Sequence, residues 1–265
     1  MGLNSFLLPE RLPRQIIYAG DRHCEIFTLA NKRIMRRTRI AGVTLAELDA
    51  GRWPEIGAQL QPLDTGIILN SGPFIYNFFE FDKLPWSRKL LLELVAWKLQ
   101  KIFPENIEAY DHQFFRLNKK RIFSILIKKT LLEQIESLFQ EKRMPLIYIG
   151  NSTLEILNRL AKLKRPPDFF VEIDDSSCSL VFQNKGLPIY IRKFKSGSRL
   201  DMAAEISKTV QFVKNNYGCD PRSYCFSDHQ EEVSADGIAA ELARENLSCQ
   251  SAAFAGKTPY IPGSQ

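Results

Sequence analysis

The order of strand and helix candidates is the property of this 265-residue sequence that most constrains its fold. The second half has the order β-β-β-α-β-α-β, with candidates at residues 168–173, 178–183, 187–194, 200–217, 223–227, 235–245 and 248–254. The tripeptide Asn184-Lys185-Gly186 is a tight-turn signal between the second and third of these strands. Apolar residues recur at helical spacing over residues 200–217, and Gly218 is placed to cap that helix.

The first half repeats this order with lower contrast and contains an insertion. Its candidates lie at residues 15–20, 24–30, 32–40, 44–60, 66–69, 144–149 and 153–163, and Gly51 and Pro54 weaken the helix over 44–60. An additional module of about residues 71–143 separates the fourth strand from the fifth. Its strand candidates lie at residues 74–81, 112–117 and 121–128, and its helix candidates lie at 86–103 and 131–141.

This duplicated order predicts an α/β fold. Three antiparallel strands that lead into βα crossovers need a mixed sheet with helices on its faces. Two such copies are typical of the actin-like, ribonuclease-H-like fold, whose duplicated mixed-sheet lobes here carry an inserted α/β module. The expected division is a first lobe at residues 1–165, a reduced second lobe at 166–255 and a flexible tail at 256–265.

The charge of the chain is unevenly distributed. There are 36 Lys+Arg and 30 Asp+Glu, a net charge of +6, and the sequence pI is about 9.0. Residues 1–165 hold 26 basic and 17 acidic side chains, whereas residues 166–265 hold 10 and 13. The first half therefore suits an anionic surface such as lipid headgroups, nucleic acid or an acidic protein, or else carries an accidental bias.

Several classes of protein are excluded by the same survey. Charged residues interrupt the apolar stretch at 86–103, so it is not a membrane span, and the apolar N-terminal patch is too short for a signal peptide. The cysteines are odd in number and lack paired spacing, which favours free thiols in the reducing cytoplasm and argues against a metal site. We accordingly expect a cytoplasmic protein.

The first hairpin of each lobe is where actin-type folds bind nucleotide phosphates through backbone N–H groups. The first hairpin keeps Gly20 and Asp21 but has Tyr18 where the Mg²⁺-binding carboxylate belongs. The corresponding residues of the second hairpin are Glu172, Asp174, Asp175 and Ser176, with Asp174 at the position of the turn glycine. We interpret these residues as remnants of a nucleotide site, and we expect the acidic turn to be a solvated corner rather than a metal site.

No other pattern in the sequence indicates catalysis. The three histidines share no ligand spacing, and no phosphate-loop, dinucleotide or nucleophile-elbow motif is present. The basic clusters at residues 36–39 and 119–121 are more typical of solvated turns or strand edges than of a nucleic-acid site. We therefore predict no catalytic residue, no metal and no cofactor, with ATP and Mg²⁺ disfavoured.

An aromatic strand in the inserted module is the most informative binding candidate. Residues 74–81 place apolar side chains on both faces of one strand, so the strand must be covered twice. The helix at 86–103 would provide one cover, and either a partner or the rest of the protein would provide the other. The candidate partner-binding residues are Phe74, Tyr76, Phe78, Phe79, Phe81 and Trp97.

Three stretches resemble the PilM family of actin-like proteins of the type IV pilus inner-membrane platform, and the related cytoplasmic domain of GspL from type II secretion. The first is Phe81-Asp82-Lys83-Leu84-Pro85 followed by a helix ending at Ile102-Phe103-Pro104. The others are Tyr110-Asp111-His112-Gln113-Phe114 and the hairpin segment 169–197. Tyr18 and Asp174 depart from the Asp-Ile-Gly type of turn that the family carries in both lobes, and a helical subdomain is lacking after Gly197.

The resemblance implies a non-catalytic cytoplasmic adaptor, peripheral to the inner membrane. Its implied partner is the N-terminal cytoplasmic tail of a bitopic, single-span platform protein, bound between the inserted module and the first lobe; an assembly ATPase is a second candidate. The basic first half would then face anionic headgroups, and no nucleic-acid partner is expected. The alternatives are an actin-fold ATPase or kinase that uses Asp21, and nucleic-acid binding through the two basic clusters.

Overall fold

The computed structural model describes most of the chain between residues 13 and 249. The described residues are 13–30, 33–42, 53–103, 107–161, 163, 165–174, 177–184, 186–195, 197–228, 242–243 and 247–249. The chain divides into two compact units. Unit 1 combines Met1–Gly72 with Phe139–Gln265, and unit 2 is Pro73–Leu138.

The first sheet of unit 1 is mixed and has five strands. They are β1 (Gln15–Ala19), β2 (His23–Ala30), β3 (Arg33–Ala41), β4 (Thr65–Leu69) and β8 (Leu146–Asn151), in the order β3-β2-β1-β4-β8. β1, β2 and β3 pair antiparallel, whereas β4 lies parallel to both β1 and β8. The helices α1 (Trp53–Gln59) and α4 (Ser152–Leu160) precede β4 and follow β8.

The second sheet of unit 1 has the same topology. Its strands are β9 (Phe169–Ile173), β10 (Ser177–Asn184), β11 (Leu187–Lys195), β12 (Ser223–Asp228) and β13 (Ser248–Cys249), in the order β11-β10-β9-β12-β13. Again the first three strands are antiparallel and the next two are parallel. The helix α5 (Arg199–Tyr217) provides the crossover between β11 and β12. The predicted duplication is confirmed, strand for strand, over the described residues.

The central strands of the two sheets are buried on both faces. β1 reads QIIYA and β9 reads FFVEI, and all residues of both strands are buried. A strand covered on both faces needs such a continuous apolar run. In the second sheet, Phe169 stacks on Phe182 and Tyr224 with centroid distances of 4.9 and 5.4 Å. This aromatic stack anchors three neighbouring strands in one core.

Unit 2 is a three-stranded antiparallel sheet with a helix on one face. Its strands are β5 (Ile75–Glu80), β6 (Tyr110–Arg116) and β7 (Arg121–Lys128), in the order β5-β7-β6. The helix α2 (Arg88–Ile102) packs Leu91, Val95 and Leu99 against Phe79 and Ile122 of the sheet. The prediction that this helix covers one face of the aromatic strand is therefore confirmed. The helix α3 (Lys129–Glu141) follows β7.

Differences between the predicted and observed elements are confined to their ends. α2 begins at Arg88 because Ser87 has an extended backbone and forms its N-cap. α4 ends at Leu160, three residues before the predicted end. α5 ends as predicted, with Gly218 in the left-handed conformation at φ 63°. Four predicted segments lie largely or wholly outside the described residues. They are residues 44–52 of the first predicted helix, the helix over 235–245, the strand beyond Cys249 and the tail at 256–265.

Candidate functional site

Polar residues of unit 1 converge where the parallel strands of the first sheet end. Asn70 and Ser71 directly follow β4, and Ser152 and Thr153 directly follow β8. Asp21 lies in the turn that follows β1. Because the carboxyl ends of parallel strands meet at one edge of a sheet, these side chains are brought together there, as at many ligand sites of α/β proteins.

The Asp174 carboxylate, in the turn after β9, enters this group and is buried. Its Oδ2 accepts hydrogen bonds from the Tyr18 hydroxyl at 3.3 Å, from the Asp21 backbone N–H at 3.3 Å and from Asn70 Nδ2 at 2.8 Å. His23 Nδ1 lies 3.8 Å from its Oδ1. The second hairpin therefore inserts an anionic side chain into the turn of the first hairpin.

Asp21 makes the reciprocal contact from the first hairpin. Its Oδ1 accepts a hydrogen bond from Asn70 Nδ2 at 2.5 Å, and its Oδ2 accepts one from the Ser177 hydroxyl at 2.7 Å. Asn70 thus donates to both aspartates. We call this set, Tyr18, Asp21, Asn70, Asp174 and Ser177, the interlobe latch, because its hydrogen bonds join the two sheets of unit 1.

A second group of contacts lies beside the interlobe latch. The hydroxyls of Ser71 and Ser179 are 2.5 Å apart, and both residues are buried. Lys193 Nζ donates to the backbone carbonyls of Ser71 at 3.2 Å and Gly72 at 3.0 Å. Both interactions join the loop after β4 to the antiparallel strands of the second sheet. We call the region where the turns and strand ends of the two sheets meet the cleft.

Glu172 is the third carboxyl group of the cleft and is fully enclosed. Its pKa is raised to about 7, because burial and the charges of Asp174 and Asp21 together outweigh the hydrogen bonds of Ser152 and Thr153, which lower it. The Thr153 hydroxyl donates to Glu172 Oε2 at 3.4 Å. Burial, reinforced by Asp174, also holds the pKa of the Tyr18 hydroxyl well above its ordinary value, so the phenol remains a hydrogen-bond donor.

The prediction that the acidic turn is a solvated corner was wrong for Glu172 and Asp174. Each exposes only 2% of its surface, because the ends of β4 and β8 bring hydroxyl and amide groups that replace water. Asp175 and Ser176 lie outside the described residues. Gly20 is required by packing, since a Cβ atom there would lie 2.6 Å from Cε1 of the His23 ring.

The predicted partner-binding aromatics fall into three environments. Phe74 and Phe79 are buried, whereas Tyr76, Phe78 and Phe81 are half-buried and Trp97 is 48% exposed. Tyr76 and Phe78 both stack on Phe123, with centroid distances of 6.1 and 4.9 Å. Their strand, β5, forms an edge of its sheet and pairs with β7.

The basic run at residues 36–39 is partly used within the first sheet. Arg37 Nη2 lies 2.6 Å and Arg39 Nη1 lies 3.6 Å from Oε1 of the buried Glu25 on the neighbouring strand. Arg36 donates to Gln59 of α1 at 3.0 Å. These arginines therefore satisfy a buried carboxylate across the sheet.

The residues of the interlobe latch do not fit a nucleotide triphosphate. A phosphate at these hairpins needs backbone N–H donors, and Asp174 already accepts the N–H of Asp21. Two unit charges 4 Å apart repel by about 4 kcal/mol at an effective dielectric constant of about 20, so an ionised Asp174 opposes a phosphate here. Over the same described residues, no cluster of three or more His, Cys, Asp or Glu side chains is arranged to hold a metal ion. None of the described helices is both long and apolar enough to cross a bilayer.

The two sheets of identical topology define an actin-like ATPase fold. Among solved structures, the chain is similar to the PilM–PilN type IV pilus biogenesis complex, with a TM-score of 0.64 and 13% identity over 88% of this chain and 86% of that chain. It is also similar to a Bacteroides thetaiotaomicron protein with an actin-like ATPase fold, with a TM-score of 0.58 and 9% identity over 90% of each chain.

A third similar structure is the cytoplasmic domain of EpsL, an inner-membrane component of the Vibrio cholerae type II secretion system. Its TM-score is 0.55 and its identity 8%, over 87% of this chain and 94% of that chain. No protein-family model and no curated protein sequence matches the chain. The resemblance that the sequence indicated is therefore confirmed at the level of the fold.

Sequence reasoning missed several members of the cleft. Asn70, Ser71, Thr153, Ser179 and Lys193 carry no motif, yet each contributes a hydrogen bond there. Asn70, Ser71 and Thr153 share one signal that was available in advance. Each follows the end of a strand that runs parallel to its neighbour, which is where polar groups converge in an α/β sheet.

Proposed function

We propose that this protein is a non-catalytic adaptor in the inner-membrane platform of a type IV pilus or type II secretion system, and that it acts on the cytoplasmic side. The observation that carries the proposal is the Asp174 carboxylate, which occupies the phosphate turns of an actin-like fold. The likeness to the PilM–PilN complex and to the EpsL cytoplasmic domain supports the choice of system.

The cleft of unit 1 serves, in this proposal, as a structural joint instead of a nucleotide site. The interlobe latch supplies the hydrogen bonds that bound phosphates would otherwise make with both hairpins. The buried Asp174 side chain, when ionised, adds negative potential where a triphosphate would carry its own charge. An ATPase or kinase reaction is therefore disfavoured here.

The partner site is proposed to lie on unit 2, at the edge of β5, which pairs with β7 alone within the described part of the chain. An edge strand can accept an extended peptide as an additional strand, with main-chain hydrogen bonds giving affinity and alternate side chains giving specificity. The half-buried Tyr76, Phe78 and Phe81 would supply the apolar contacts. The ligand that suits this edge is the cytoplasmic N-terminal tail of a single-span membrane protein, and an assembly ATPase is a second candidate partner.

Peptide binding tests the partner site. Synthetic peptides would be made from the cytoplasmic N-terminal tails of single-span proteins whose genes neighbour this one, and titrated into the full chain by calorimetry. We expect one of them to bind, and the Y76A/F78A double variant to weaken its binding at least tenfold. Phe212→Ala, at an exposed aromatic residue of α5, is the matched control and should leave binding unchanged. Equal binding by both variants would exclude the β5 edge.

Nucleotide binding tests the proposed role of the cleft. Calorimetry with MgATP should show no binding at millimolar nucleotide, and phosphate release should equal the blank. Micromolar MgATP binding with turnover that Asp21→Asn abolishes would overturn the adaptor proposal in favour of an ATPase.

A further inference from the structure

The exposed apolar side chains of the described residues are concentrated on one helix. Eight large apolar residues are more than a third exposed, and five of them belong to α2 or directly precede its N-cap: Trp86, Leu90, Leu92, Trp97 and Ile102. Trp86 is 85% exposed. Isolated apolar residues are normal on protein surfaces, but a cluster marks an interaction site.

Helical spacing defines a face of α2 that contains Trp97. Within α2, Leu90, Leu94, Trp97 and Lys101 follow one another at intervals of three or four residues, which aligns them on one face, and Trp86 directly precedes the N-cap Ser87. We call these five residues the tryptophan stripe. The buried face of α2, formed by Leu91, Val95 and Leu99, is a separate apolar stripe that packs on the sheet. Leu94 is partly buried against the same core, whereas Leu90 and Trp97 are exposed apolar side chains that the sheet does not cover.

Basic side chains lie directly against both tryptophan rings. Lys101 Nζ is 3.8 Å and Lys98 Nζ is 5.5 Å from the Trp97 ring centroid, and Arg116 Cζ is 5.5 Å from that of Trp86. No ion pair joins any of these three cations to a carboxylate within the described residues. Their charge is thus available to an external anion.

The local charge is strongly positive. Residues 83–103 contain five Lys and Arg side chains and a single acidic one, Glu93. Arg116 of β6 adds a sixth positive charge beside Trp86. Tryptophan with flanking lysine or arginine is the composition of segments that lie in a membrane interface, where the ring sits at headgroup depth and the cations meet anionic lipids.

We propose that the tryptophan stripe is a docking surface for an anionic lipid bilayer, with α2 lying parallel to the membrane plane. Each well-placed basic residue contributes about 1 kcal/mol at such a surface, and the tryptophan and leucine side chains add apolar burial. Lys98 and Lys101 have long aliphatic stems, so their ammonium groups can reach the headgroups while the neighbouring Trp97 ring enters the interface. The surplus of cations without acidic partners favours lipid over a protein of mixed charge.

This inference deepens the proposed function, because it assigns the face through which the adaptor would meet the inner membrane. It concerns a surface other than the β5 edge proposed for the peptide. The two can therefore fail independently, since vesicle binding and peptide binding are measured separately.

Vesicle co-sedimentation of the full chain tests the proposal. We expect binding to vesicles of phosphatidylcholine with about one-third phosphatidylglycerol, little binding to pure phosphatidylcholine, and a decline as salt is raised. Tryptophan fluorescence should shift to the blue on binding, as the exposed rings leave water.

Two pairs of variants separate the apolar contribution from the electrostatic one. W86S/W97S and K98E/K101E should each lower vesicle binding at least tenfold, while circular dichroism and tail-peptide binding stay unchanged. F212S and K195E, which alter an exposed phenylalanine and an exposed lysine of the second sheet and its helix, are the matched controls. Absence of vesicle binding by the wild-type chain, or full binding by the tryptophan variant, would overturn the proposal. Binding of an acidic protein without any binding of vesicles would reassign the stripe to a protein partner.

Discussion

The hydroxyl of Tyr18 donates a hydrogen bond to Asp174 Oδ2 across 3.3 Å, joining residues that are 156 positions apart in the chain. Tyr18 lies in β1 and Asp174 directly follows β9, the equivalent strand of the second sheet. Each residue differs from the residue expected at that position of an actin-type turn, and the two side chains are hydrogen-bonded to each other. The two residues that depart from the expected turn therefore also supply a hydrogen bond between the two sheets of unit 1.

Tyr18→Phe should lower the free energy of unfolding by about 1 kcal/mol. The substitution removes one hydrogen bond to a buried carboxylate and leaves the ring in place, and such a bond contributes about 0.5–1.5 kcal/mol. Equilibrium unfolding in urea measures the change. Tyr110→Phe is the matched control, since the Tyr110 hydroxyl makes no hydrogen bond within the described residues. Equal stability of the two variants would show that the Tyr18 bond contributes nothing.

Glu172→Gln should stabilise the protein at pH 8 and have little effect near pH 4.5. The folded pKa of about 7 lies above the ordinary value of 4.5, so the folded state binds more protons than the unfolded state between these values. The contribution of Glu172 to stability is therefore most favourable below pH 4.5 and is lost as the pH rises through 7. Glutamine removes this penalty, a gain of up to about 3 kcal/mol at pH 8.

Glu205→Gln is the opposing control for this pH dependence. The pKa of Glu205 is lowered by its hydrogen bonds and charge interactions with Lys208 and Arg192. Its neutralisation should lower stability slightly at pH 8 and leave stability at low pH unchanged. A series of urea titrations from pH 4 to 8 compares the two variants. A pH-independent effect of Glu172→Gln would mean that the Glu172 pKa is not raised.

Gly20→Ala should destabilise the protein by about 1–3 kcal/mol, the usual cost of forcing an additional atom into a packed site. The new Cβ would lie 2.6 Å from Cε1 of His23. In the His23→Ala background the cost should fall to a few tenths of a kcal/mol, because the obstructing ring is absent. A double-mutant cycle of unfolding free energies measures this coupling, and additivity of the two changes would refute the packing explanation.

Gly218→Ala should cost about 1 kcal/mol through backbone strain alone. Gly218 has a φ of 63°, and no atom lies within 4 Å of a Cβ built there, so space is not limiting. Asparagine tolerates the left-handed conformation better than alanine, so Gly218→Asn should lose less stability. Gly197→Ala is the matched control, since its nearest contact is an ordinary 3.5 Å to Asp201. Thermal unfolding of the three variants would rank them, and a cost for Gly197→Ala equal to that of Gly218→Ala would contradict the strain argument.

Much of the fold could be predicted from local patterns in the sequence. Continuous apolar runs such as FFVEI identify the central strands, and Gly186 and Gly218 mark the turns and helix ends. The contacts of the cleft could not be predicted in this way. Asn70 donates to Asp174 across 104 positions, and that meeting depends on the register of parallel strands, which no local pattern specifies. For the same reason Asp174 was expected to face solvent, although its burial depends on groups from the other sheet.

The interlobe latch has a consequence for how unit 1 can move. Its hydrogen bonds join hydroxyl, amide and carboxylate groups, so separating the hairpins would hydrate polar atoms and expose little apolar surface. Because the denaturant m-value and the heat capacity of opening both scale with exposed surface, such an opening should depend only weakly on urea and temperature. Amide hydrogen exchange would still detect it. The Asp21 N–H, which donates to Asp174, would exchange through a small local fluctuation. The amides of β1 and β9 would exchange only through global unfolding.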